Sequence, residues 1–290
     1  MHVPQGEQST CSDACTPTGR GQGEKGASGY IPREATASGK CAGGSLGSRM
    51  RRYHIHRERL SAMCGRFTLF EADTILSKDF GAPISFDLPP RYNIAPTQQI
   101  LAVRQSMGKA AREAVFLRWG LIPRWAKDPS IGNRMINARA ETVAEKPAFR
   151  SAFRSRRCLV PSSGFYEWKR EERGKQPYYI RPRGRGAFAF AGVWEQWQGP
   201  EGSLVESCAL ITTEANELIS QLHDRMPVIL SPSEYGLWLD PGVSDGTRLI
   251  PLLRPCPAQE LETFPIGAFV NNPKMDDSRC IVPANLSKAS

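Results

Sequence analysis

Cys64 directly follows Met63, in the run Ser61-Ala62-Met63-Cys64-Gly65-Arg66-Phe67. A chain that began at Met63 and then lost it would present Cys64 as its first residue, with a free α-amine and a thiol on adjacent carbons. The amine titrates near ~8 and a thiol near ~8.5, so both are partly nucleophilic at neutral pH. An amine condenses with an aldehyde to a Schiff base, and the neighbouring thiol closes a five-membered thiazolidine on the same carbon. Most Met-Cys pairs carry no chemistry, so the other residues decide. His223 is the only histidine after residue 63, in Gln221-Leu222-His223-Asp224-Arg225-Met226-Pro227. An imidazole titrating near neutrality is a natural proton shuttle, although the same residue also reads as a surface or capping histidine near a helix end. Glu167 lies in Gly164-Phe165-Tyr166-Glu167-Trp168-Lys169. Strand alternation puts it on one face with Phe165, where a carboxylate must be paired or carry a raised pKa; pairing with Lys169 is the alternative. Asn137 and Arg139, two apart, can share a face, one offering an amide and the other a phosphate clamp.

The elements that must position these residues begin after a compositional break. Residues 1–62 are rich in Gly, Ser, Thr, Arg and Lys and poor in apolar periodicity. They cannot bury enough surface to offset ordering entropy, so a disordered leader is expected, either untranslated or removed. The 63–290 remainder is dense in aromatic and aliphatic residues and long enough for one large core. Cys64–Leu69, Ile100–Val103, Ala114–Trp119, Cys158–Val160, Gly164–Lys169, Tyr178–Ile180, Phe188–Val193, Cys208–Thr212 and Pro227–Leu230 read as short strands. Glu71–Phe80 and Pro232–Leu239 read as helices, as does a run from Thr213, with Thr213 as its cap, to about His223. Glu141–Phe153 reads as a short helical region broken around Pro147, Ile136–Arg139 as the end of a long loop, and the proline-rich 89–96 stretch as a rigid loop. Many strands with few helices predict a single α+β domain of mostly antiparallel, barrel-like sheet.

The formal charge is +9, of which +5 falls after residue 62. Within residues 118–157, arginines and lysines, Arg150 and Arg154 among them, alternate with Trp119, Trp125, Phe149 and Phe153. Cations for phosphates and aromatic faces for unstacked bases are what single-strand binding uses; an ordinary charged surface over an aromatic core has the same composition. No apolar run approaches a membrane span and no secretory signal is present. The scattered cysteines have no metal spacing, so neither metal nor cofactor is expected, and the protein is placed in a reducing compartment, the cytoplasm, beside the nucleoid if bacterial.

The segments Met63-Cys64-Gly65-Arg66-Phe67, Arg91-Tyr92-Asn93-Ile94-Ala95-Pro96, Trp119-Gly120-Leu121-Ile122-Pro123, Ile136-Asn137-Ala138-Arg139-Ala140-Glu141-Thr142, Cys158-Leu159-Val160-Pro161, Gly164-Phe165-Tyr166-Glu167-Trp168, Gln176-Pro177-Tyr178-Tyr179, Ile211-Thr212-Thr213 and His223-Asp224-Arg225-Met226-Pro227 together resemble the SOS-response-associated peptidase family, the abasic-site processing proteins. The resemblance implies a covalent sensor of abasic sites in single-stranded DNA. Cys64 would be the crosslinking nucleophile, Asn137 would orient its amine or the sugar, Glu167 would move a proton and stabilise the thiazolidine, and His223 would act as general acid and base. Arg66 and Arg139 would contact phosphates, and Pro96, the Trp119 region and the loop after Trp125 would hold the strand bent. The family also implies removal of the residue ahead of the cysteine, lyase-type strand chemistry and a main role of stoichiometric capture. A monomer is expected, with replication-fork proteins as further partners. The departure is the leader, because with it attached Cys64 has an amide and cannot form the ring. An upstream start assigned in error is the favoured account, and a cleaved leader the other. Two further classes share parts of the pattern: an N-terminal-cysteine amidohydrolase or cysteine peptidase, and a non-covalent single-strand binding module that has no need of Cys64.

Overall fold

Among the described residues, thirteen strands run from β1 (Phe67–Leu69) and β2 (Arg91–Ile94) through β3 (Gln99–Gln105), β4 (Arg112–Trp119) and β5 (Asn137–Arg139). They continue as β6 (Arg157–Ser162), β7 (Gly164–Glu171), β8 (Gly174–Pro182), β9 (Phe188–Gln198), β10 (Leu204–Glu214), β11 (Arg225–Pro227), β12 (Ile229–Leu230) and β13 (Leu261–Pro265). Short helices α1 (Asp73–Phe80), α2 (Arg150–Ser155), α3 (Tyr235–Leu239) and α4 (Gly246–Leu249) lie between them. The computed structural model describes residues 64–284 except Met107, Lys109 and Arg185. The expectation of a disordered leader over 1–62 lies outside the described residues.

Two sheets result. One runs β13-β8-β7-β1-β2; the other runs β11-β10-β4-β3-β6-β9-β12, with β5 added on β10. Because β9 also pairs with β10, strands β10, β4, β3, β6 and β9 close into a five-stranded barrel with no free edge between them. Every pairing between strands is antiparallel except those of β10 with β4 and with β5. The α+β, mostly antiparallel architecture read from the sequence is the one found.

Period-two alternation decides how the open sheet sits. Phe67 and Phe165 face the barrel, with Phe67 edge-on to Trp119 at 5.2 Å and to Phe190 at 5.8 Å, and Phe165 at 6.0 Å from Phe190. Burial of each such ring contributes about 1.5–3 kcal/mol. The opposite face of the open sheet presents Tyr166 and Tyr179, which Ile266, Val270 and Cys280 cover. The molecule is therefore layered as barrel, open sheet and C-terminal segment, and side chains of β7 alternate between the two interfaces.

Several elements differ from the sequence reading. Arg91–Ile94 is a strand rather than a loop, because β1 supplies a ladder partner and Asp276 accepts from the backbone N–H groups of Tyr92 and Asn93. Thr213 does not cap a helix. It lies within β10, paired with Met226, and only a turn of 3₁₀ helix at Ile219–Gln221 follows. Helix in the Glu141–Phe153 region is confined to α2, after Pro147. The end of the long loop, Asn137–Arg139, is a strand held by β10. Strand β13 has no strong sequence signal. Among the described residues no helix is long and apolar enough to cross a membrane.

Gly164 shows how tightly the open sheet is built. A Cβ there would stand 2.3 Å from the Tyr179 hydroxyl oxygen and 2.7 Å from the Ile180 carbonyl oxygen, neither of which can retreat far inside a hydrogen-bonded ladder. Gly164→Ala is expected to destabilise the fold by about 1–3 kcal/mol, as overpacking does, lowering the midpoint of thermal unfolding by several degrees in a circular-dichroism melt.

Candidate active site

Cys64 stands just ahead of β1, at the start of the described residues, and is 1% exposed. Its backbone N–H donates to Glu167 Oε1 at 2.9 Å. The bond forms because β1 lies beside β7, with Phe67 opposite Phe165, and because Glu167 shares the barrel-facing side with Phe165. The expected pairing of Glu167 with Lys169 is not what satisfies the carboxyl. Cys64 has φ of 26°, a left-handed conformation that β-substituted residues avoid and that clusters at functional sites.

Electrostatics follow from this seam between sheet and barrel. Burial, followed by the nearby Glu167 carboxyl, pushes the Cys64 thiol well above its ordinary range. Glu167, 2% exposed, is pushed up to about 8, chiefly by burial. The Cys64 and Trp168 N–H groups oppose the rise, Asp224 adds to it, and Lys175 opposes it weakly. At neutral pH the carboxyl is therefore mostly protonated and can give up a proton.

The His223–Arg225 turn leads into β11, which pairs with β10. Arg225 N–H donates to His223 Nδ1 at 3.1 Å. Asp224 Oδ1 lies 2.9 Å from the same Nδ1. The Arg225 side chain forks onto both oxygens of Glu141 at 2.8 and 2.9 Å and donates to the Thr212 carbonyl at 2.7 Å. Strand β10 links these groups to β5, with Leu210 opposite Asn137 and Thr212 opposite Arg139. Cys64 thus meets Glu167 directly, while Asn137 and Arg139 lie on β5 beside β10 and Glu141 ties that side to the arginine that follows His223 by two residues.

Sequence reasoning missed three members of this neighbourhood. Thr212 has a buried hydroxyl with no hydrogen-bond partner among the described residues, while Glu141 and Arg225 lock the histidine turn to the β5 side. All three stand in the quoted motifs, and their spacing from Arg139 and His223 is the only sequence signal for them.

The expected DNA-contacting residues separate by burial. Trp119 is fully buried, its Nε1–H donating to the Ile136 carbonyl at 3.0 Å. This corrects its placement as a stacking face, because β4 alternation turns it into the core. Trp125, on the loop that follows, is 59% exposed. Arg139, Arg150 and Arg154 are exposed and Pro96 is half-buried. Arg66 is half-buried, with its Nη1 donating to Asn93 Oδ1 and to the Val270 carbonyl. Arg157, also in the basic stretch, is buried and spent on carbonyls of Phe153, Arg154, Trp238 and Asp240, so it belongs to the scaffold.

The raised Glu167 carboxyl has a thermodynamic signature. Its folded pKa, about 8, exceeds the unfolded value near ~4.3, so between those values the folded state binds the extra proton and stability falls as pH rises. Glu167→Gln removes that dependence. The variant is expected to melt at least ~2 °C above the parent at pH 8.5, the shift that 1 kcal/mol gives at this size, and to lose that advantage at pH 5.

Comparison with known proteins places the chain among relatives. The family described as SOS response associated peptidase (SRAP) matches residues 63–273. The chain is 44% identical over 230 residues to the abasic site processing protein YoqW of Bacillus subtilis (strain 168), covering 76% of this chain and 99% of that one. It is 32% identical over 227 residues to the abasic site processing protein HMCES of Gallus gallus, covering 68% and 67% respectively. A crystal structure of a Bacteroides thetaiotaomicron protein superposes with a TM-score of 0.70 at 27% identity, covering 76% of this chain and all of the other.

Proposed function

The chain belongs to the SOS response associated peptidase family, and from that premise we propose that it recognises abasic sites in single-stranded DNA and captures them covalently through Cys64. The observation that carries the reading is the main-chain nitrogen of Cys64, held 2.9 Å from Glu167 in a buried seam. When that nitrogen is a free α-amine, it attacks the aldehyde carbon of the ring-opened sugar, giving a carbinolamine. Glu167, mostly protonated at neutral pH, supplies the proton with which the hydroxyl leaves as water, and a Schiff base results. The thiol then adds to the same carbon of the protonated Schiff base and gives its proton to the Glu167 carboxylate, closing the neutral thiazolidine and restoring the acid. Overall, one aldehyde, one amine and one thiol give one ring and one water.

The raised thiol pKa favours this order over ordinary cysteine-peptidase chemistry, which needs a thiol activated towards thiolate. Amine attack comes first and the thiol closes the ring second. His223 is suited to pass protons to and from the sugar oxygen, and Asn137 to orient the amine or the sugar. Exposed Arg139, Arg150 and Arg154 and the Trp125 face offer cations and a stacking surface to a strand bent at the lesion. The absence of a base at the lesion leaves nothing to read by base-edge contacts, so covalent capture supplies the selectivity. A free amine requires either a start at Met63 with loss of that Met or cleavage ahead of Cys64. The Cys64 N–H···Glu167 contact also suits such a cleavage, with the carboxyl protonating the departing nitrogen.

Intact-mass measurement after mixing with a single-stranded oligonucleotide bearing one abasic site tests the reading. Protein beginning at Met63 is expected to lose the Met and gain the DNA mass in a heat-stable adduct, and Cys64→Ala to gain none. Protein beginning at Met1 is expected to react only after release of the leader. No adduct from either form would exclude covalent capture and leave non-covalent single-strand binding. Adduct formation is further expected to slow as pH rises through about 8, where Glu167 loses its proton.

A further inference from the structure

Asn93 is fully buried, yet its side chain lies at the centre of a polar cluster. Its amide nitrogen donates to three backbone carbonyls of the C-terminal segment: Val270 at 3.1 Å, Asn272 at 3.1 Å and Met275 at 2.7 Å. Those acceptors fix which end of the amide is nitrogen and point Oδ1 the other way, where it accepts from Arg66 Nη1 at 2.8 Å. The Val270 carbonyl takes a second bond from the same Nη1 at 2.9 Å. Two acceptors on one nitrogen set the plane of the guanidinium. Among the described residues, Nε and Nη2 of Arg66 have no hydrogen-bond partner, and this is the edge a phosphate takes in a two-point contact.

One residue further along, Asp276 joins the segment to the strand that carries Asn93. Its Oδ1 accepts from the backbone N–H of Tyr92 at 2.5 Å and of Asn93 at 2.7 Å, and its Oδ2 pairs with Arg91. A backbone N–H left buried without an acceptor costs about 1–3 kcal/mol, so this carboxylate determines where β2 lies. Asp276 stands beyond residue 273, where the family match ends.

We propose that Asn93 and Asp276 are positioning residues for strand binding: Asp276 seats the strand that carries Asn93, and Asn93 aims the free edge of Arg66, two residues from Cys64, at a backbone phosphate. The inference rests on the reading of Arg66 as a phosphate contact. It adds that the contact is assembled by the C-terminal segment acting on β2 and is not intrinsic to the Cys64-Gly65-Arg66 run.

The test uses the full chain and a lesion-free single-stranded oligonucleotide, so the result does not depend on covalent chemistry. Affinity is measured by fluorescence anisotropy over a salt series. Arg66→Ala is expected to reduce the magnitude of the slope of log K against log salt by about 0.7, the share of one phosphate on a single strand. Asp276→Ala and Asn93→Ser, made separately, are each expected to give the same reduction in an otherwise intact Arg66 protein and no further reduction in an Arg66→Ala background. Asp276→Asn keeps an acceptor for both backbone N–H groups and is expected to restore the parental slope. A general loss of packing would lower the melting temperature without this non-additive pattern. If Arg66→Ala leaves the slope unchanged, the phosphate reading of Arg66 fails and the proposal with it. If Arg66→Ala lowers the slope while Asp276→Ala and Asn93→Ser do not, or if their effects add to that of Arg66→Ala, the positioning role alone is overturned.

Discussion

The hydrogen bond from the Cys64 main-chain nitrogen to Glu167 sets the terms for the rest of the site. A carboxyl that is 2% exposed can stay in the seam only by remaining neutral or by finding donors. It does some of each, accepting the Cys64 N–H while its pKa rises to about 8. The same burial that makes Glu167 a proton donor raises the Cys64 thiol. In the proposed capture, one desolvated seam would order the two nucleophiles of a single residue, amine ahead of thiol.

That seam exists because two structures meet along it. The barrel closes on itself through the β9–β10 pairing, whereas the open sheet is covered on one face by the barrel and on the other by the C-terminal segment. Residues of β7 that point to the barrel include the carboxyl, and those that point away include Tyr166, whose hydroxyl donates to the Tyr92 carbonyl at 2.6 Å. The chemical face and the supporting face are thus alternate residues of one strand, and a register slip of one residue would exchange them.

Much of this was legible from residue order, where local rules and tertiary structure agree. Alternation in Gly164-Phe165-Tyr166-Glu167 predicted the faces of β7, and the aromatic-rich strands predicted an antiparallel α+β domain. The failures come where a distant residue decides. Prolines around Arg91–Ile94 argue for a loop, and the strand forms because Asp276, some 185 residues away, takes its backbone donors. Thr213 has a cap-like sequence, but ladder bonds to β11 outweigh a local side-chain bond. Trp119 and Trp125 look alike in a basic stretch, yet β4 turns the first inward and the loop leaves the second outside. The Glu141–Arg225 fork, 84 residues apart, joins two motifs that each look complete alone.

The place of β1 in the open sheet, between β2 and β7, has a consequence for the order of events during synthesis. Phe67 pairs with Phe165, so the strand after Cys64 cannot be completed until roughly a hundred more residues have left the ribosome. At ~5–20 residues per second, this is an interval of roughly 5–20 s in which the Cys64 end of the chain is still undocked. Once β7 arrives, Cys64 is 1% exposed. Under the proposed function, a chain started at Met63 would have this interval in which to lose the Met before the strand after Cys64 is laid down.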